Sequence, residues 1–262
     1  MPLALRDVSC VIEPGAKVGI VGRTGSGKTT FVSALWRLVE PTSGEGGERS
    51  GALSIDGVDL SSLELRALRS RLAIIVQDPV LFNETVRYNL DPFKKYTEQE
   101  LDVVVEAAQL KGKIASMPNG LDSPVGEGGA NFSVGQRQLI CLARAMLRRS
   151  KVIVLDEATA SIDNETDAIL QSTIRKCFAD ATVLTIAHRL HTIMDSTKVM
   201  LFDKGTLCEY DSPKALLADD GSLFSKLVAD TGSAADHLRS LASEAAAGRS
   251  SRDDCSGVGA GA

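Results

Sequence analysis

Aromatic residues make up only 4% of this 262-residue chain, so any core it forms is mostly aliphatic. No apolar run approaches the roughly 18–20 residues that a membrane-spanning helix needs. The polypeptide is therefore expected to be soluble by itself, which leaves open a membrane-bound partner. The first residues, Met1-Pro2-Leu3-Ala4-Leu5-Arg6-Asp7, lack the charged-then-apolar plan of a signal peptide. Positive charge is not in excess: the net charge of −5 supplies no basic footprint, so nucleic acid is not an expected partner. The five cysteines (Cys10, Cys141, Cys177, Cys208, Cys255) form no CxxC pair and no metal-ligand spacing. Cys10, Cys141, Cys177 and Cys208 stand among aliphatic residues and are expected as buried free thiols in a reducing compartment. There is no internal repeat. What remains is an ordinary balance of 44% hydrophobic and 24% charged residues, enough for one large domain or two small ones.

Short aliphatic runs alternate with helical spacing. Lys17 to Val21 reads as a buried strand entering a glycine-rich turn, and Lys28 to Leu38 as the helix after it. The polar, glycine-rich stretch 44–51 reads as a surface loop. Leu53 to Ile55 is a strand with Asp56-Gly57 as its turn, and Leu72 to Val76 is another, ending at Gln77. From Asp78 to Phe132 the character becomes helical, with a capping box at Thr97 to Glu100 opening a helix to about Leu110. The loop PNGLDSPVGEGGANFS then leads to a second capping box, Ser133 to Gln136, and an amphipathic helix. Strands return at Val152 to Leu155 and Thr182 to Ile186, separated by a helix over about 164–178. Val199 to Phe202 and Thr206 to Tyr210 flank Asp203-Lys204-Gly205 as a hairpin, and Ser212-Pro213 starts another helix. This alternation predicts a mostly parallel sheet covered on both faces. After about Gly232 little remains to bury, and residues 233–262 are expected as a disordered tail, in which Ala234 to Ala247 could form at most a weak helix that frays.

The octapeptide GRTGSGKT, Gly22 to Thr29, matches G-x-x-x-x-G-K-[ST] between a strand and a helix. Its glycines let backbone N–H groups curl around phosphate oxygens. Lys28 supplies charge to the β- and γ-phosphates, and Thr29 offers its hydroxyl to Mg²⁺. A tight strand–helix turn without a ligand is the alternative. Four aliphatics carry Asp156 to a strand's carboxyl end, where ligands of open α/β sheets bind; it is expected to hold Mg²⁺ directly or through water. Glu157 follows and could orient the attacking water or accept its proton. His188 follows the strand TVLTIA and is either a γ-phosphate contact or a satisfied loop histidine. Gln77 faces the same edge by the same logic, where its amide can ligate Mg²⁺ and position water. The helix start at Ser133 is a second anion site, superfluous to an ATP already held by a complete phosphate loop.

Together these residues resemble the nucleotide-binding domain of an ABC transporter, over roughly residues 3–230. GRTGSGKT matches Walker A, VQDP the Q-loop, FSVGQ the signature, VIVLDE Walker B with its glutamate, SID the D-loop and AHR the H-loop, in the family's order. The resemblance implies an α/β P-loop NTPase core with a mostly parallel sheet, a partial antiparallel β edge and an inserted helical subdomain at about 78–150 carrying the signature. An ATP-binding domain over 1–232 follows.

Residue by residue, the resemblance implies ATP binding by Gly22, Arg23, Thr24, Gly25, Ser26, Gly27, Lys28, Thr29 and Thr30. It implies Mg²⁺ at Thr29, Gln77 and Asp156, and catalysis by Glu157, His188 and Gln77. It puts Ser133, Val134, Gly135 and Gln136 on a partner's ATP, and Ser161 and Asp163 in the D-loop. Two such domains, alike or different, pair head to tail beneath the transmembrane domains of an exporter, on the cytosolic face of a membrane. Longer matches, such as LDEATASID and TVLTIAHRLHTIMD, are similar to the second nucleotide-binding domain of subfamily C, the multidrug-resistance-associated exporters. The family's adenine-stacking aromatic precedes this sequence's first residue, so weakened adenine binding is expected. The implied function is ATP hydrolysis driving export. The alternatives are a soluble ABC-type ATPase not linked to transport and a non-hydrolysing ATP-binding regulatory module.

Overall fold

The computed structural model describes residues 3–41, 51–156, 164–187 and 189–256. In chain order its strands are β1 (Lys17–Gly22), β2 (Ser54–Ile55), β3 (Val58–Asp59), β4 (Leu72–Ile75), β5 (Val152–Asp156), β6 (Thr182–Ile186), β7 (Lys198–Asp203) and β8 (Thr206–Asp211). Its α-helices are α1 (Lys28–Leu35), α2 (Leu65–Arg71), α3 (Val86–Leu90), α4 (Glu98–Ala107), α5 (Lys111–Ala115), α6 (Val134–Arg148), α7 (Asn164–Cys177), α8 (Pro213–Ala218), α9 (Leu223–Ala229) and α10 (Ala235–Ser256). The chain divides into two units, Met1–Ala34 with Leu184–Ala262, and Leu35–Val183.

In the first unit β1 pairs in parallel with β7, Ile20 level with Met200. Val18, Ile20 and Val21 are buried, and Phe31 of α1 meets Phe202 of β7 with ring centroids 5.3 Å apart. β7 turns back into antiparallel β8 through Lys204 and Gly205, both at positive φ (46° and 83°). Two successive positive φ values match the right-handed twist of the flanking strands, so the hairpin forms where the sequence puts it. Ser212 caps α8 through the Ala215 N–H, with Pro213 at the first helical position.

The carboxyl-terminal segment departs from the sequence reading. Where residues 233–262 are expected to be disordered, α10 forms a helix over Ala235–Ser256. Leu238 and Ala242 are buried in a cluster with Ile193, Met194, Leu217, Phe224 and Val228. Arg239 donates to the Leu217 carbonyl at 2.9 Å and to Ser225 Oγ at 3.0 Å. The Ala- and Ser-rich composition hid an apolar stripe, because Leu238, Leu241 and Ala242 share one helix face and alanine itself favours the helix.

In the second unit β4 and β5 are parallel, Ile75 level with Leu155. β4 ends one residue earlier than expected. The segment from Asp78 to Phe132 contains no strand among the described residues, only an isolated bridge between Thr85 and Pro124. Both expected capping boxes are present, at Thr97/Glu100 on α4 and Ser133/Gln136 on α6. α4 stops at Ala107 rather than near Leu110, and Gln109 is left-handed (φ 58°). The buried face of α6, including Leu139, Ile140, Leu142 and Ala143, joins Ile75, Ile153 and Leu170 in one aliphatic core.

The parallel pairs β1/β7 and β4/β5, the antiparallel pairs β7/β8 and β2/β3 and the helical insertion make this the α/β fold that the sequence predicts. The cysteine expectation holds only in part. Cys10 and Cys141 are partly buried, while Cys177 and Cys208 are exposed. An aliphatic neighbourhood in sequence does not decide which face of an element a thiol occupies.

Candidate functional site

β1 delivers the chain into the Gly22–Thr29 loop, and α1 begins at Lys28. Gly22 has φ +148°, and a Cβ there would sit 2.2 Å from the Phe202 carbonyl oxygen and 2.6 Å from Ser26 Oγ. Gly27 has φ +107°, and a Cβ would meet Leu5 Cδ2 at 2.6 Å. Only glycine fits either position. Gly22→Ala is expected to destabilise the chain by about 1–3 kcal/mol, since the clashing atom is backbone and cannot rotate away. Thermal unfolding checks this against Gly112→Ala, where a Cβ meets nothing within 4 Å and the melting temperature should hold.

Lys28 is 9% exposed. Its Nζ donates back across the loop to the carbonyls of Gly22 (2.7 Å) and Arg23 (3.1 Å). Ser26 N–H donates to Arg23 O at 3.0 Å, and Gly205 N–H donates to Ser26 O at 2.9 Å. The loop is thus held open as a ring around an ammonium. Ser26 Oγ is buried with no hydrogen-bond partner among the described residues. Beyond the loop, the first amides of α1 have no acceptor within the helix.

In the second unit, Asp156 ends β5 and Gln77 lies just past β4. The parallel register brings both out at the same edge of the pair, as the sequence predicts. Ser133 is exposed at the start of α6. Its Oγ accepts from Gln136 N–H at 3.1 Å, and Gln136 Oε1 accepts from Ser133 N–H at 3.1 Å. The box uses a lone pair of the serine, so its O–H can still donate, and the amides of Val134 and Gly135 lack an intrahelical acceptor. Glu157, Ser161, Asp163 and His188 lie outside the described residues.

The family model described as ABC transporter matches residues 5–160, more than half of the chain. The chain belongs to that family. It is 55% identical over 224 residues to ABC transporter C family member 8 of Dictyostelium discoideum, and 50% identical over 224 residues to ATP-binding cassette sub-family C member 2 of Rattus norvegicus. Each match covers 86% of this chain and 14% of the relative, so the chain spans about a seventh of those proteins. A solved structure of a bacterial Atm1-family ABC exporter with ATP bound matches with a TM-score of 0.79 and 33% identity. That match covers 88% of this chain and 39% of the other. The P-loop NTPase fold and the likeness to subfamily C exporters follow.

ABC domains bind ATP and in general hydrolyse it. The loop of this ABC domain fits such a ligand. Its glycines keep Cβ atoms out, its ammonium lies within the ring, and Ser26 Oγ is a buried donor that an anion would satisfy. A cavity of about 850 Å³ adjoins the loop, lined by Gly22, Thr24 and Lys28 and also by Arg189, His191 and His237. His237 comes from α10, so the carboxyl-terminal helix walls the cavity beside the phosphate loop. Sequence reasoning missed this wall, having favoured a frayed tail over a weak helix at Ala234 to Ala247.

A second omission lies on α6. Gln138 is 1% exposed and donates Nε2 to the carbonyls of Val76 (2.9 Å) and Gln77 (2.8 Å). Six residues on, Arg144 donates to the Val80 carbonyl at 3.0 Å and to Asn89 Oδ1 at 2.7 Å. Burial lowers the Arg144 pKa from its ordinary value, opposed by the nearby Cys141 thiol. The signal was an amide on the otherwise apolar face of the helix, beside Leu139 and Leu142.

Proposed function

We propose that this domain binds MgATP and hydrolyses it as a motor of an ABC exporter, in the second nucleotide-binding position of a subfamily C protein. The observation that carries this reading is the phosphate loop, closed around Lys28 between β1 and α1. In the proposal Gly22, Arg23, Thr24, Gly25, Ser26 and Gly27 cradle the phosphates, with Lys28 as counter-charge and Thr29 and Thr30 at the helix start. Thr29, Gln77 and Asp156 would hold Mg²⁺, which when bound neutralises charge on the phosphates. Glu157 would orient the attacking water or accept its proton, and His188 would contact the γ-phosphate.

The helical subdomain, about residues 78–150, presents Ser133, Val134, Gly135 and Gln136 to ATP on a second nucleotide-binding domain, with Ser161 and Asp163 as the D-loop. The exposed Ser133 at this self-capped helix start supports a site completed from outside. Transmembrane domains of the exporter and the cytosolic face of a membrane complete the assembly. Among the described residues no helix is long and apolar enough to cross a membrane.

Steady-state phosphate release with MgATP tests the reading. Turnover should appear with Mg²⁺ and vanish when EDTA removes it. ATP binding without turnover, at every protein and Mg²⁺ concentration, would overturn hydrolysis and favour a regulatory module.

A further inference from the structure

Gln138 is a buried amide whose environment does not repay it. Its Nε2 has two good acceptors, the Val76 and Gln77 carbonyls, while its own Oε1 is buried with no partner among the described residues. Two carbonyl acceptors at 2.8–2.9 Å fix which end of the amide is nitrogen, because the flipped amide would face oxygen with oxygen. An orphaned buried acceptor is a net cost. An apolar side chain of the same length would avoid that cost. Stability alone therefore does not explain a glutamine here.

The two carbonyls do explain it. β4 ends at Ile75, so Val76 and Gln77 have left the ladder with β5, and both are exposed. Gln138 takes up their carbonyls where the sheet no longer does. The same helix grips the segment again through Arg144, at Val80 directly and at Asn89. Asn89 in turn accepts from Phe82 N–H at 2.8 Å and donates to Phe82 O at 3.0 Å. Residues 76–82 are thus fastened at both ends to α6. Gln138 lies five residues, about 7.5 Å of helix rise, beyond Ser133.

We propose that Gln138 is a positioning residue that locks the Gln77 segment to the first turns of α6. The metal-side glutamine and the helix start offered to the partner's ATP then move as one piece. The role given to Gln77 rests on the function proposed above; the tether itself does not. Without the amide, Gln77 keeps its chemistry and loses its fixed place, and the assembly of the metal site and of the partner-facing turn are no longer tied together.

The test uses Gln138→Met, which keeps length and burial without donors, and Gln138→Asn, which keeps the amide but falls one methylene short. Both are made in the full chain. Val76 and Gln77 are exposed residues past the end of the strand, and their carbonyls can turn to water once released, so melting temperatures should stay close to the parent's. Hydrogen exchange of the Val76, Gln77, Asp78 and Val80 amides in the nucleotide-free protein should accelerate about tenfold in both variants, with peptides of β1 and β7 unchanged. The Mg²⁺ concentration giving half-maximal ATPase should rise about tenfold, as expected when a ligand loses its outer support. Turnover should fall about 10- to 100-fold and Mg²⁺-free ATP affinity should hold.

Unchanged exchange at 76–80 overturns the tether. So does a uniform loss of melting temperature, ATP affinity and turnover together, which would mark a packing role. If the parent does not hydrolyse ATP, the proposed function fails and the exchange result alone decides the tether.

Discussion

Glu157→Gln should lower ATP turnover by about 10²–10⁴-fold while leaving ATP affinity nearly unchanged, the range that removal of a general base produces. The substitution keeps size and shape and removes only the carboxylate's basicity, so ATP binding through the phosphate loop has no reason to change. Bound ATP that is not cleaved should accumulate whatever state it stabilises. In sedimentation the variant is expected to shift from monomer to dimer on adding MgATP, since the exposed start of α6 would then sit on a second copy's nucleotide. Near-native turnover would remove Glu157 from its role. A monomer with ATP bound would mean that the completing domain is a different one, and would leave the catalytic assignment standing.

Lys28→Ala should weaken ATP binding by about 10- to 100-fold or more, because a charged hydrogen bond is worth roughly 1.5–3 kcal/mol and in the proposed site this ammonium serves two phosphates. The structure adds a second cost. The same Nζ ties the Gly22 and Arg23 carbonyls across the loop, so alanine removes both the charge and the brace that keeps the ring open. Lys28→Met fills the space but likewise lacks charge and donors, so it should lose affinity equally, which excludes vacated volume as the cause. Titration with a fluorescent ATP analogue measures both variants against the parent. Affinity within twofold of the parent for either variant contradicts the clamp.

Much of this was legible before any coordinates. The phosphate loop, its flanking strand and helix, both capping boxes, the Asp203–Gly205 hairpin and the Ser212-Pro213 helix start are local patterns, and each formed where its residues put it. Gln77 and Asp156 were inferred to share an edge from strand ends alone, and the register of β4 with β5 bears this out. The reading failed where the signal was weak or distributed. The α10 stripe was masked by alanine, which buries little area per residue. Cys177 and Cys208 were judged by their sequence neighbours, whereas exposure depends on which face of the element packs.

By itself, the sequence determined the chemistry on offer and the order of the elements, because strand periodicity, caps and glycine-dependent turns are encoded within a few residues. Only the tertiary structure decided that Lys28 braces its own loop, that α10 walls the cavity beside it, and that Gln138 holds the Gln77 carbonyl from 61 positions away. A buried polar group must find its partner wherever packing brings one within about 3 Å. No local pattern records which carbonyl that will be.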